Sequence, residues 1–318
     1  MKNKLRSQVV GIIAKHPRLQ QLVKGLKTFT LPGFEGVPVY DVAKMFGTEI
    51  KQDRLGPRAS AIAFNFLLAL FPAVIFLFSL IPVIPIEGLQ ENLFSLVEAI
   101  LPEQAFDLLR STVEDIISKK RVDLLSSGFV LMIFFATNGV HAMMRAFAKF
   151  NPAFHRRSFF KQYGVSIQLT ILLTILLLFS VFLIIGGEFF IREIRMALGL
   201  ESNVSYFLIS SLRWLIIFLV FFLTLSTIYY FGPALEKKWR FISLGSTVAT
   251  VLSVLASLGF SFYVNNFGQY NKFYGSLGTV TVIMIWVYIN ALVLLFGFEL
   301  NHSILLSKYK EKDAEKES

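Results

Sequence analysis

The sequence predicts an all-α, polytopic membrane protein with six transmembrane helices, and three observations carry that reading. Hydrophobic residues make up 55% of the 318-residue chain against 16% charged, and the mean hydropathy is +0.63, too apolar for an ordinary soluble domain. Six apolar runs are each as long as a bilayer's hydrocarbon core is thick, which a soluble core could not hide. The charged residues, with a net of +10, fall between those runs, so they speak for a membrane and against a nucleic-acid partner.

Residues 1–58 read as a basic amphipathic segment in the cytoplasm. Val9, Ile12, Ile13, Leu19, Leu22 and Val23 interleave with Lys15, Arg18, Lys24 and Lys27, the pattern of a helix lying on anionic lipid headgroups. Pro32, Gly33, Gly36 and Pro38 break it, and a short helix over 40–54 leads to the first span. The first 58 residues hold no short apolar core followed by a small-residue cleavage site, so no secretory signal peptide is expected there. The membrane domain, 59–302, carries spans over 59–83, 124–144, 165–190, 206–231, 242–264 and 277–298. Between the first two, residues 84–123 form an outer cap of two amphipathic helices, the second opening at Pro102 and Glu103. Residues 303–318 are a charged cytoplasmic tail.

Orientation follows from Lys and Arg. One set of loops and both termini hold 23 of them; the alternate loops hold seven, namely Arg110, Lys119, Lys120, Arg121, Arg192, Arg195 and Lys272. The positive-inside rule places both ends in the cytoplasm of a bacterial inner membrane.

Polar side chains within the spans are the functional pointers, because hydrocarbon tolerates them only against protein or a water-filled cavity. Asn138, His141 and Arg145 share one face in span two, and Tyr288, Leu292, Leu295, Glu299 and His302 form a stripe along span six. If the two faces meet, they line an inward-facing polar cavity; otherwise Glu299 and His302 are interfacial and Asn138 joins helices. Arg213, about 10 Å into span four at 1.5 Å per residue, either snorkels outward or holds an anion or a carboxylate partner such as Glu188. Pro72 invites a kink in span one. Gly245, Ala249, Ser253 and Ala256 form a small-residue stripe that permits close helix approach in span five.

Enzymatic patterns are missing: there is no GxxxxGK[ST], HExxH or GxSxG, and the four histidines are scattered. Cysteine is absent, which removes thiolate metal sites and a cysteine nucleophile. No enzyme activity, cofactor or metal site is therefore expected.

The segments "GPALEKKWRFISLGS" (232–246), "YVNNFGQYNKFYGSLGTV" (263–280) and "IWVYINALVLLFGFELN" (285–301), with "ASAIAFNFLLALFP" (59–72) and "ATNGVHAMMRAFAKF" (136–150), resemble the YihY/BrkB family of bacterial inner-membrane proteins. Tyr274, Gly275, Trp286, Tyr288 and Glu299 stand at the family's offsets, as does Pro233 in the first segment. Phe298, where the family more often has alanine, and Asn65, at an often aromatic position, depart from the pattern. The resemblance implies six membrane helices and a virulence-factor or serum-resistance label; solute export and cation exchange have been ascribed to some relatives. A ribonuclease label also circulates in the family, and these residues give it no support.

Two functions compete on this sequence. The first is a transporter, exporter or lipid-translocating protein whose substrate is a small molecule, an ion or a lipid. The second is a non-transporting envelope scaffold or assembly factor that binds a partner through its outer cap. Nothing in the sequence sets an oligomeric state.

Overall fold

The computed structural model describes residues 25, 27–80, 122–149, 153–155, 157–198, 203–236, 238–267 and 276–317. The amphipathic stretch before residue 25 and the outer cap, apart from Val122 and Asp123, lie outside the described residues. Seven helices are described: α1 (Val39–Gln52), α2 (Leu55–Leu80), α3 (Val122–Ala146), α4 (Phe159–Leu198), α5 (Asn203–Phe231), α6 (Leu244–Phe267) and α7 (Ser276–Glu317). Six of these, α2 to α7, contain stretches long and apolar enough to cross a membrane.

Local chemistry explains the helix ends. Pro38 precedes α1 in extended backbone and Asp41 lies in its first turn, where an acid meets the positive end of the helix dipole. Before it, Gly33 and Gly36 turn the chain at φ of 97° and 92°, which only glycine adopts readily. At the start of α6 the Ser246 amide donates to Ser243 Oγ at 3.1 Å while Ser243 N donates to Ser246 Oγ at 3.1 Å, a reciprocal cap. The next free amide, Gly245 N–H, donates to Asn301 Oδ1 of α7 at 2.8 Å. At the far end of α5, Arg157 donates to the carbonyls of Phe231, Gly232 and Pro233 at 3.4, 3.1 and 3.1 Å, satisfying acceptors a helix terminus leaves open. Burial among these groups pulls the Arg157 guanidinium below its ordinary pKa, and it keeps its charge.

The spans close a ring in chain order: each of α2 to α6 packs on the next, and α7 returns to pack on α2. The core sits at the end of the ring where α2, α4 and α6 begin and α3 and α5 finish, here called the basal end. Ala59 and Ile62 of α2, Val140 and Met143 of α3, Leu169 of α4, Tyr229 of α5, Ala249 of α6 and Leu295 and Phe298 of α7 are all buried in it. Farther along the spans large side chains such as Phe129, Leu177, Trp214 and Leu255 stand exposed, as lipid-facing residues do.

Small residues set the closest approach in the bundle. A Cβ on Gly297 would lie 2.7 Å from Ala249 Cβ and 2.7 Å from the Gly245 carbonyl oxygen, so α6 and α7 touch backbone to backbone. Ala249 and Ser253 are buried in that seam. Tyr229 Oη, from α5, donates to the Leu294 carbonyl at 2.7 Å beside it.

The charged tail expected at 303–318 is helical as far as Glu317, continuing α7 without a break. Its reason is packing: Ile304 shares a buried cluster with Phe34, Val37 and Val42, so α1 and the turn before it cover the extension. Lys308 pairs with Glu35 at the rim of that contact.

Candidate functional site: a buried ionic centre at the basal end

Glu299 sits on α7 with its side chain 0% exposed; Arg58, Lys149 and His302 gather on it, and Glu49 and Asp53 join the group through them. Arg58, at the start of α2, donates through Nη1 to Glu299 Oε1 at 3.2 Å and to Asp53 Oδ2 at 3.0 Å. Its Nη2 donates to the Ala148 carbonyl at 3.2 Å, which ties α2 to the end of α3. Lys149, three residues past α3, directs its ammonium to Glu299 Oε2 at 2.8 Å, to Glu49 Oε2 at 3.3 Å and to Asp53 Oδ2. Glu49 and Asp53 come from α1 and the residue that ends it.

His302, one helical turn beyond Glu299, completes the group. Its Nδ1 lies 3.3 Å from Glu49 Oε2 and 3.7 Å from Glu299 Oε2, yet neither ring nitrogen has a hydrogen-bond partner in proper alignment. The ring is held stacked near Phe298, with centroids 6.1 Å apart, and edge-on to Phe154 at 5.5 Å. Three carboxylates thus face two permanent cations, with an imidazole among them. Desolvating such charges is costly, so the centre persists only because each carboxylate meets a cation and the geometry is close.

A cavity of about 160 Å³ adjoins the centre, and its lining includes apolar Met144, Phe147 and Phe154 together with Lys149, His155 and Arg157. Among the described residues, no carboxylate lines it. Its floor is held by the antiparallel bridge Phe154 to Leu235, with His155 N donating to the Ala234 carbonyl at 2.7 Å.

Asn138, His141 and Arg145, expected to share a cavity with Glu299, show no described hydrogen bond or ion pair with it. His141 is buried toward α4, with Nδ1 3.2 Å from Ser166 Oγ and its ring against Phe159 and Tyr163. Asn138 is half-buried and Arg145 exposed on the same helix. None of the described ion pairs of Glu299 involves them, and Glu299 is sealed rather than open to a vestibule. Tyr288 packs on the core and Trp286 is 39% exposed. Pro72 lies inside α2, Pro233 gives its carbonyl to Arg157, and Gly245 meets α7 as described. Arg213 falls on α5, with its side chain outside the described parts; Tyr274 and Gly275 lie outside the described residues.

The fold and centre define a class: a six-span helical membrane protein that keeps a charged cluster buried at one end of its bundle. A model of the family described as "Virulence factor BrkB" matches residues 46–318, and the chain belongs to that family. It is 31% identical over 258 residues, 80% of this chain and 90% of the other, to a Bacillus subtilis (strain 168) protein named ribonuclease-like protein YfkH. It is 36% identical over 121 residues to a UPF0761 membrane protein of Aeromonas salmonicida (strain A449), covering 36% of this chain and 40% of that one. A UPF0761 membrane protein of Vibrio campbellii (strain ATCC BAA-1116) is 32% identical over 93 residues, 29% of either chain. No solved structure matches.

Proposed function

We propose that this protein is a transporter that moves an amphipathic anion across the bacterial inner membrane, with both termini in the cytoplasm and the ionic centre as its cytoplasmic gate. The observation that carries the reading is the wholly buried Glu299 of α7, paired at once with Arg58 of α2 and Lys149 after α3. Ionisable groups inside membrane bundles are expensive and mark pathways for ions or substrates. Here the ion pairs join the helices that close the ring and also α1, so parting them opens the basal end. The adjoining cavity supports the substrate class, since its lining combines apolar Met144, Phe147 and Phe154 with basic Lys149, His155 and Arg157. An acyl or other apolar group suits the apolar side chains and a phosphate or carboxylate the basic ones.

The reading is non-enzymatic, and the ribonuclease-like name belongs to the relative that bears it. The scaffold alternative rests on the outer cap, which apart from Val122 and Asp123 is outside the described residues. The test is reconstitution of the purified chain into liposomes containing fluorescently labelled phosphatidylglycerol, with dithionite quenching of label that reaches the outer leaflet. Quenching beyond the outer half of the label, at a rate changed by Glu299→Gln in protein shown to be folded, supports the proposal. Quenching that stops where protein-free liposomes stop overturns it.

A further inference from the structure

We propose that the ionic centre binds one divalent first-row metal cation through Glu49, Glu299 and His302, in exchange for the Lys149 ammonium. A carboxylate oxygen from each glutamate and a ring nitrogen of His302 lie within 4.8 Å of one another. Bonds of about 2.0–2.2 Å to a common metal set neighbouring donors roughly 3.0–3.6 Å apart. The separations from His302 Nδ1, 3.3 Å to Glu49 Oε2 and 3.7 Å to Glu299 Oε2, meet that spacing with a shift of a tenth of an ångström or so.

A second observation points to a ligand rather than to a salt-bridge cluster alone. His302 is buried, 2% exposed, and aims Nδ1 between the two carboxylates without a hydrogen bond in alignment. An imidazole so placed lacks the partner that a buried polar group requires, and a cation between the three donors would supply it. Oxygen donors joined by one imidazole favour manganese, iron, cobalt or zinc over magnesium or calcium.

Lys149 occupies the position now. Its Nζ contacts Glu299 Oε2 and Glu49 Oε2, the same oxygens the metal would use, so ammonium and metal exclude each other. Charge favours the exchange: three carboxylates against Lys149 and Arg58 leave one negative charge, and a dication in place of Lys149 removes it. The displaced side chain has somewhere to go, because Lys149 also lines the cavity of about 160 Å³ beside Gln162 and Ala148. The sequence hid this site because Glu49 is separated from Glu299 by most of the chain and no short ligand motif joins them.

The inference rests on the transport reading only for what the ion does there; binding is read in detergent without flux, so each can fail alone. The purified full chain is titrated with Mn²⁺ alone to about 1 mM free metal, following loss of the free-ion electron paramagnetic resonance signal. Electron spin echo modulation then reports nitrogen bound to the metal. The expected result is one Mn²⁺ per chain carrying an imidazole nitrogen signal. His302→Ala removes that signal, and Lys149→Met, which deletes the competing ammonium at similar size, tightens binding about tenfold. Wild-type protein that takes up no Mn²⁺ overturns the proposal. So does a nitrogen signal that survives His302→Ala, or binding that Lys149→Met weakens.

Discussion

Gly297→Ala tests the packing that brings α7, and with it Glu299, into position. The added Cβ would stand 2.5 Å from Tyr229 Oη, 2.7 Å from Ala249 Cβ and 2.7 Å from the Gly245 carbonyl oxygen. Carbon contacts are comfortable at about 3.5–4.0 Å, so α6 and α7 must separate by roughly 1 Å. Swinging Tyr229 aside offers no easy relief, because its hydroxyl is bonded to the Leu294 carbonyl at 2.7 Å. Overpacking costs about 1–3 kcal/mol, and loosening the tyrosine bond adds about 0.5–1.5 kcal/mol. Alanine returns about 1 kcal/mol of helix propensity over glycine. The net is a loss near 2 kcal/mol, or a melting midpoint several degrees lower at about 2–4 °C per kcal/mol. Thermal unfolding in detergent, followed by tryptophan fluorescence, measures it. Gly164→Ala in α4 is the control, since a Cβ there meets nothing within 4 Å and should leave the midpoint equal or higher. A Gly297→Ala protein that melts with wild type while the control behaves would refute the helix contact.

Further outcomes follow from the same contacts. Arg157→Ala strips three carbonyl partners from the end of α5 and should cost about 2–3 kcal/mol, with Arg157→Lys recovering only part because an ammonium lacks the planar fork; thermal melts decide. Glu299→Gln leaves Lys149 and Arg58 short of a buried carboxylate, a loss of about 3–5 kcal/mol, and the double variant with Lys149→Met should melt above that single one. Equal melting of the single and double variants would show that the pair is not coupled. Single cysteines introduced at Glu103 and Glu236 in this cysteine-free chain should react with an impermeant reagent from the outside and from the cytoplasm respectively. Labelling of the Glu103 position only from the cytoplasm would invert the topology.

The six spans were legible because bilayer thickness writes itself into sequence as runs of about 20 apolar residues. The stripe holding Glu299 and His302 was legible too, since three-residue spacing puts both on one helical face. Their partners were not. Arg58 stands 241 residues from Glu299 and Lys149 stands 150, and both look like the ordinary cations that the positive-inside rule places near span ends. Glu49 and Asp53 look like the polar face of a surface helix until α1 is seen docked on α7. His141 misled for the opposite reason: helical spacing fixes which face a residue is on, but not which neighbour that face meets. Its neighbour is Ser166 of α4.

A lock across the gate tests the central claim most directly. Val42 of α1 and Ile304 of α7 are buried in one cluster, so cysteines are introduced at both positions of this otherwise cysteine-free chain and oxidised to lock α1 on α7. Non-reducing electrophoresis establishes that the bond has formed, and translocation of labelled phosphatidylglycerol is then followed in liposomes. The account predicts that the oxidised protein stops translocating and that reductant restores it. Translocation by the oxidised protein at the reduced protein's rate would contradict a gate at the basal end.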